Sequence, residues 1–169
     1  RTNYRCTGWY TATSGGTLRG AAGGSYTPSA SETIHAQWIE VHKLDVNGWL
    51  DGASVGNTTN YGTFDVYVGG VKKATGVTDF YQDVDKGASY EIKNITALSG
   101  KKYIGVHSGS LTGTMGTANI GVALEFRTLN VWVNVNGTWK HGVIWVNNNG
   151  TWKTANAHIN ASGTWKQGK

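Results

Sequence analysis

Three near-identical stretches, Gly137-Thr138-Trp139-Lys140, Gly150-Thr151-Trp152-Lys153 and Gly163-Thr164-Trp165-Lys166, recur near the end of the chain with a period of 13 residues. The match extends upstream, where Trp132, Trp145 and His158 align, then Val133, Val146 and Ile159, then Asn134, Asn147 and Asn160. Each unit reads as a strand, a tight Asn-Gly or Ser-Gly turn and a short return strand, because Asn-Gly accepts the positive φ angles of a two-residue hairpin loop. One such hairpin cannot bury its own aromatic face. Three in series are expected to stack on one another, on a neighbouring domain or on another chain.

The rest of the chain is read in the same terms. Its 169 residues include 25 Gly, one Pro, eight Trp and eight Tyr, a balance that favours short strands and tight turns over helices. Between residues 39 and 128 the alternation is clear: Phe64, Val66 and Val68 point one way, Asp65 and Tyr67 the other, and Val68-Gly69-Gly70-Val71 makes a two-residue turn. Further strands are predicted at 41–46, 89–95, 102–107 and 119–127. This spacing predicts a central β-sandwich of roughly six to seven strands with immunoglobulin-like proportions. The fold class expected is all-β, in three pieces: 1–38, 39–128 and 129–169. Each piece is small enough to bury only a modest core.

In the first piece a strand near 4–10 is followed by a glycine-punctuated loop and a closing strand at 33–38. Its Gly8-Trp9-Tyr10, its Gly23-Gly24-Ser25-Tyr26-Thr27 and its closing Thr33-Ile34-His35-Ala36-Gln37-Trp38 resemble the later half of the Listeria–Bacteroides repeat, the internalin B-repeat family. His35 stands where that family commonly has an aromatic, and the family's earlier strands have no counterpart. The resemblance implies an exported surface protein in which such repeats serve as stalks and protein-contact modules. The middle pieces LDVNGWLDG, YGTFDVYVGG, YEIKNITA and SGSLTGTMGTANIGVALEF resemble a module of large exported or prophage tail-like proteins of gut Firmicutes. Tails of the VNVNGTWK type are similar to those that close many phage tail proteins. Because the chain opens in mid-motif, it is expected to be an excerpt of a longer protein with its export signal elsewhere, and its location to be extracellular: secreted, cell-surface or virion tail.

The formal net charge of +5 arises entirely in the tail, where Arg127, Lys140, Lys153, Lys166 and Lys169 meet no acid. Lysines this sparse do not make the clustered footprint of a nucleic-acid binder, so no nucleic-acid partner is expected. No apolar run approaches the roughly 20 residues of a membrane span. Cys6 is the only cysteine, which removes internal disulfides and all-cysteine metal sites.

Little in the sequence suggests catalysis. His107 and Ser108 are adjacent, but a serine beside its own histidine on a strand cannot present a nucleophile to that base, and the Gly-x-Ser-x-Gly elbow is missing. The histidines lack a zinc-type pairing. Asp79, Asp83 and Asp85 before Gly87, and Asp45, Asn47 and Asp51 before Gly52, are oxygen-rich strings of the kind calcium loops use, although turns select the same residues. No cofactor is expected, with calcium at Asp79, Asp83 and Asp85 as a weak candidate.

The functional expectation therefore rests on the tail aromatics. Trp132, Trp139, Trp145, Trp152 and Trp165, with Lys140 and Lys153, are the candidate ligand-binding residues, since flat rings beside amides suit sugar faces and protein epitopes alike. The expected role is a non-catalytic binding or adhesion module that meets a glycan or a host protein surface. The alternative is a structural module in which the tail repeats drive homo-oligomerisation or attachment within a tail fibre or surface stalk.

Overall fold

The computed structural model describes residues 1–56, 61–129, 131–142, 144–155, 158–161 and 164–167, with the side chains of residues 56, 131–135, 139–142, 145, 154–155, 158–161 and 164–167 outside that description. Every regular element among the described residues is a strand. The protein is all-β.

In chain order the strands are β1 (Tyr4–Tyr10), β2 (Leu18–Ala21), β3 (His35–Leu50), β4 (Ala53–Gly56), β5 (Gly62–Val68), β6 (Val71–Val77), β7 (Phe80–Asp85), β8 (Ser89–Ala97), β9 (Lys101–Ser108), β10 (Thr112–Thr114) and β11 (Ile120–Thr128). Six more form the tail: β12 (Val131–Val135), β13 (Thr138–Gly142), β14 (Ile144–Asn148), β15 (Thr151–Ala155), β16 (His158–Ala161) and β17 (Thr164–Gln167).

Strand β3 organises the larger sheet. Its first third pairs with β1, its middle with β7, and its end with both β4 and β11, the last of these in parallel. The handover is visible in single hydrogen bonds. Val41 N–H donates to the Asn3 carbonyl beside β1, while Lys43 N–H, two residues on and therefore facing the same edge, donates to Asn119 Oδ1 beside β11. On the opposite edge the Glu40 carbonyl accepts from Lys86 N–H at the end of β7. The position between residues 38 and 39, where the sequence suggests a boundary, lies inside this strand. Nothing at Ile39-Glu40 breaks an extended chain, so two expected strands run together as one.

The second sheet has four strands in the order β10-β8-β5-β6. A single apolar core draws on both sheets, with Leu44, Val46, Leu124 and Phe126 from the larger and Phe64, Val66, Tyr90 and Ile92 from the smaller. Alternation produces this: His42, Leu44, Val46 and Gly48 of β3 and Val122, Leu124 and Phe126 of β11 are buried, while Lys43, Asp45, Asn47, Trp49 and Glu125 between and beside them form the opposite face. Phe126 is fully buried, with Tyr61 at 5.0 Å and Tyr103 at 5.4 Å between ring centroids.

Two glycines make room for these rings. The Tyr61 ring lies on the backbone of Gly48, where a Cβ would come within 2.2 Å of Tyr61 Cζ. A Cβ on Gly62 would stand 2.7 Å from the Phe126 ring and 2.4 Å from the Thr96 carbonyl. Glycine inside a strand here marks a close approach, not a turn.

Asp65 ties the smaller sheet together. It is 4% exposed, and its carboxylate accepts from Lys72 Nζ at 2.8 Å, Asn94 Nδ2 at 2.7 Å and Gly76 N–H at 2.8 Å, joining β5 to β6 and β8. The Lys72 bond first, then Asn94 and the Gly76 amide, hold its pKa down at about 2. In an unfolded chain the same group would titrate near 3.9.

The tail forms three separate two-stranded antiparallel sheets, β12-β13, β14-β15 and β16-β17. Asn136 (φ 52°) and Gly137 (φ 82°), and Asn149 (φ 52°) and Gly150 (φ 84°), have both central φ angles positive, as a type I′ turn requires. The Ser162-Gly163 turn lies outside the described residues.

Two stability measurements check this architecture. Gly48→Ala should lose about 2 kcal/mol or more in urea unfolding, since the new methyl enters the Tyr61 ring, whereas Gly121→Ala, with open space at its Cβ, should change little. For Asp65, the folded pKa lies below the unfolded one, so its contribution is present above about pH 4 and lost as pH falls through about 2. The stability difference between wild type and Asp65→Asn should accordingly hold constant from about pH 7 to about pH 5 and close towards pH 2; a gap unchanged at the acid end would contradict the assignment.

Candidate binding surface

Cross-strand register fixes where the tail aromatics fall. In the second hairpin Trp145 pairs with Thr154 and Trp152 with Asn147, so the two tryptophan positions occupy the same face at diagonal register. The first hairpin repeats this, with Trp132 opposite His141 and Trp139 opposite Asn134. In the third, His158 is opposite Gln167 and Trp165 opposite Asn160. In each hairpin the tryptophan positions and the aligned Asn position thus share one face, and the Lys and the Val or Ile positions share the other.

Side chains are described in the middle of this array. Trp152 is 62% exposed, Lys153 is exposed, and Val146, which faces the other way, is 47% exposed. The side chains of Trp132, Trp139, Lys140, Trp145 and Trp165 lie outside the described residues. Asn147 Oδ1 accepts the Gly150 N–H at 2.8 Å, fastening the turn that carries Trp152. That leaves the Asn147 amide NH₂ as its donor. The repeated Asn suggests a ligand amide in the sequence, and the geometry gives its oxygen to the turn.

The outer face of the larger sheet carries an aromatic pair that sequence reading did not identify. Trp49 and His107 stack with centroids 3.8 Å apart and planes 14° from parallel. His107 Nδ1 faces Glu125 Oε2 at 3.4 Å, and Glu125 also accepts from Arg127 at 3.2 Å. These residues meet because Trp49 pairs with Glu125 between β3 and β11, and β9 runs alongside β11. Only the register could have revealed it. His107 is thus held against a ring and a carboxylate, and neither contact is with Ser108 or Ser110.

The oxygen-rich strings are also recombined by the fold. Asp83 pairs with Lys43 at 3.0 Å, and Asp85 receives both Arg5 Nε at 3.1 Å and Arg5 Nη2 at 2.5 Å. Asp79 precedes Phe80, which pairs with Val46, so Asp79 falls across from Asn47 and diagonal to Asp45. Burial, then the Asp45 charge, pushes the Asp79 carboxyl above the usual range. Asp51 does something else: it accepts Thr128 N–H at 2.9 Å and Thr128 Oγ1–H at 2.7 Å, locking the β3–β4 turn to the end of β11. Among the described residues no three His, Cys, Asp or Glu side chains gather as a metal site.

Most acids serve the architecture in this way. Glu32 receives Arg19 and the Tyr26 hydroxyl, Glu40 receives Lys86 and His42, and Glu91 pairs with Lys93. Trp9 and Trp38, at 40% and 43% exposed, add aromatic surface on the β1-β3 part of the sheet.

No helix among the described residues is long and apolar enough to cross a membrane. No family model, curated protein or solved structure matches the chain.

Proposed function

We propose that this chain is a non-catalytic binding module of an exported bacterial surface protein or a phage tail protein, and that its tail hairpins present tryptophan to a glycan or a host protein surface. The observation that carries the reading is the exposure of Trp152, 62% of a large ring, on a turn anchored by Asn147. An exposed indole on the same face as the Asn147 amide combines an apolar platform with a hydrogen-bond donor, the composition of interface anchors. The ion pairing of Asp83, Asp85, Glu32, Glu40 and Glu91 supports the non-catalytic part, because those carboxylates are already engaged with cations. The resemblance of the first 38 residues to the internalin B-repeat supports the exported setting.

A second reading is favoured by one observation. Val146 and Trp152 lie on opposite faces of the same hairpin and are both exposed, and a two-stranded hairpin with apolar residues open on both faces gains by being covered by another copy. In that reading the tail is a homo-oligomerisation or attachment device.

Light scattering with tryptophan emission separates the two readings. The binding reading expects a monomer with red-shifted emission that responds to a member of a glycan and serum-protein panel, and Trp152→Ala should weaken that response about tenfold or more with an unchanged far-ultraviolet spectrum. A stable oligomer with blue-shifted emission and no response to the panel would establish assembly instead.

A further inference from the structure

The central unit contains a groove that neither the tail nor the Trp49–His107 face accounts for. It lies on the smaller sheet, encloses about 360 Å³ and is lined by Tyr67, Gly70, Ser89, Glu91 and Thr112, with Tyr90 and Gly113. Its volume is at the lower end of the range for small-molecule sites.

The register explains its chemistry. Lys72 pairs with Tyr67, Tyr67 with Glu91, and Glu91 with Thr112, so one row of residues crosses all four strands on the face opposite the core. With strands about 4.8 Å apart, an aromatic ring, a carboxylate and a hydroxyl follow one another over about 10 Å. Two ammonium groups approach the Tyr67 ring, with Lys72 Nζ 5.3 Å and Lys93 Nζ 5.2 Å from its centroid. Both cations are already neutralised, Lys72 by Asp65 at 2.8 Å and Lys93 by Glu91 at 2.7 Å. Beyond the row, in the β5–β6 turn, Gly70 has open space where a side chain would stand.

We propose that this groove is a binding site for a neutral saccharide, with Tyr67 as the platform for a sugar ring and Glu91, Thr112 and Ser89 as partners for its hydroxyls. An aromatic ring suits the C–H face of a sugar, and a carboxylate accepts strong hydrogen bonds from adjacent hydroxyls. Local charge balance selects a ligand that brings no charge of its own, because Lys72 is paired with Asp65 and Lys93 with Glu91, and neither pair leaves a net charge to offset an ionic ligand. The site is independent of the tail tryptophans.

The test is a ¹⁵N-labelled titration of the full chain with maltotriose, cellotriose and triacetylchitotriose, and with sialyllactose as the anionic comparison. A neutral trisaccharide should give saturable shifts centred on the amides of Tyr67, Ser89, Glu91 and Thr112. Tyr67→Ala should abolish them, and the isosteric Glu91→Gln, which keeps the shape of the side chain and gives up its ion pair with Lys93, should weaken binding about tenfold. Trp152→Ala should leave them unchanged, so that failure of the tail as a binding surface and failure of this groove are read separately. The proposal is overturned if none of the neutral sugars shifts these amides, if only sialyllactose does, or if both groove variants bind as wild type does.

Discussion

Both edges of one 16-residue strand are occupied, and most of the molecule depends on that. β3 hydrogen-bonds to β1 and β11 along one edge and to β7 and β4 along the other, so the first 38 residues are joined to the core through a strand that both share. A flexible linker at this junction would have allowed independent motion. A strand that runs through the junction does not, and a load applied at β1 is passed along β3 into the sheet that backs the core. Gly48 lies within the same strand, which places a position with no room for a Cβ on the most heavily shared element.

The large sheets were legible wherever one face is buried. Alternation at Phe64, Val66 and Val68 located β5, and Gly69-Gly70 located its turn, because burial on one side and positive φ in the loop leave direct marks in sequence. The Asn-Gly pairs located two tail turns for the same reason. Other features leave no such mark. The continuity of β3 depends on the absence of a breaker at Ile39-Glu40, and the parallel pairing of β3 with β11 joins residues about 75 positions apart, which no local pattern records. β7 was hidden because Asp79, Asp83 and Asp85 read as a loop, whereas Lys43 and Arg5 allow two of those aspartates to sit on a strand.

Candidate surfaces were legible as residue types and not as arrangements. The tail tryptophans stand out by repetition, yet the sharing of a face by Trp145 and Trp152 follows only from the register of Trp145 with Thr154 and Trp152 with Asn147. The same applies to the row Lys72, Tyr67, Glu91 and Thr112, whose members lie on four different strands. A property shared across strands is a property of topology. It becomes visible when hydrogen-bond partners are known, and side-chain chemistry then follows at fixed spacing.

The self-contained pairing of each tail hairpin has a consequence for how such a protein can vary. Because β12-β13, β14-β15 and β16-β17 each complete their own ladder, a 13-residue unit can be gained or lost without shifting any hydrogen bond in its neighbours. In the proposed binding role, copy number then acts as a dial on avidity: every added unit raises the effective concentration of weak contacts while each contact stays weak. Strength of attachment would be set by how many units the chain carries, with no need to refine any one of them.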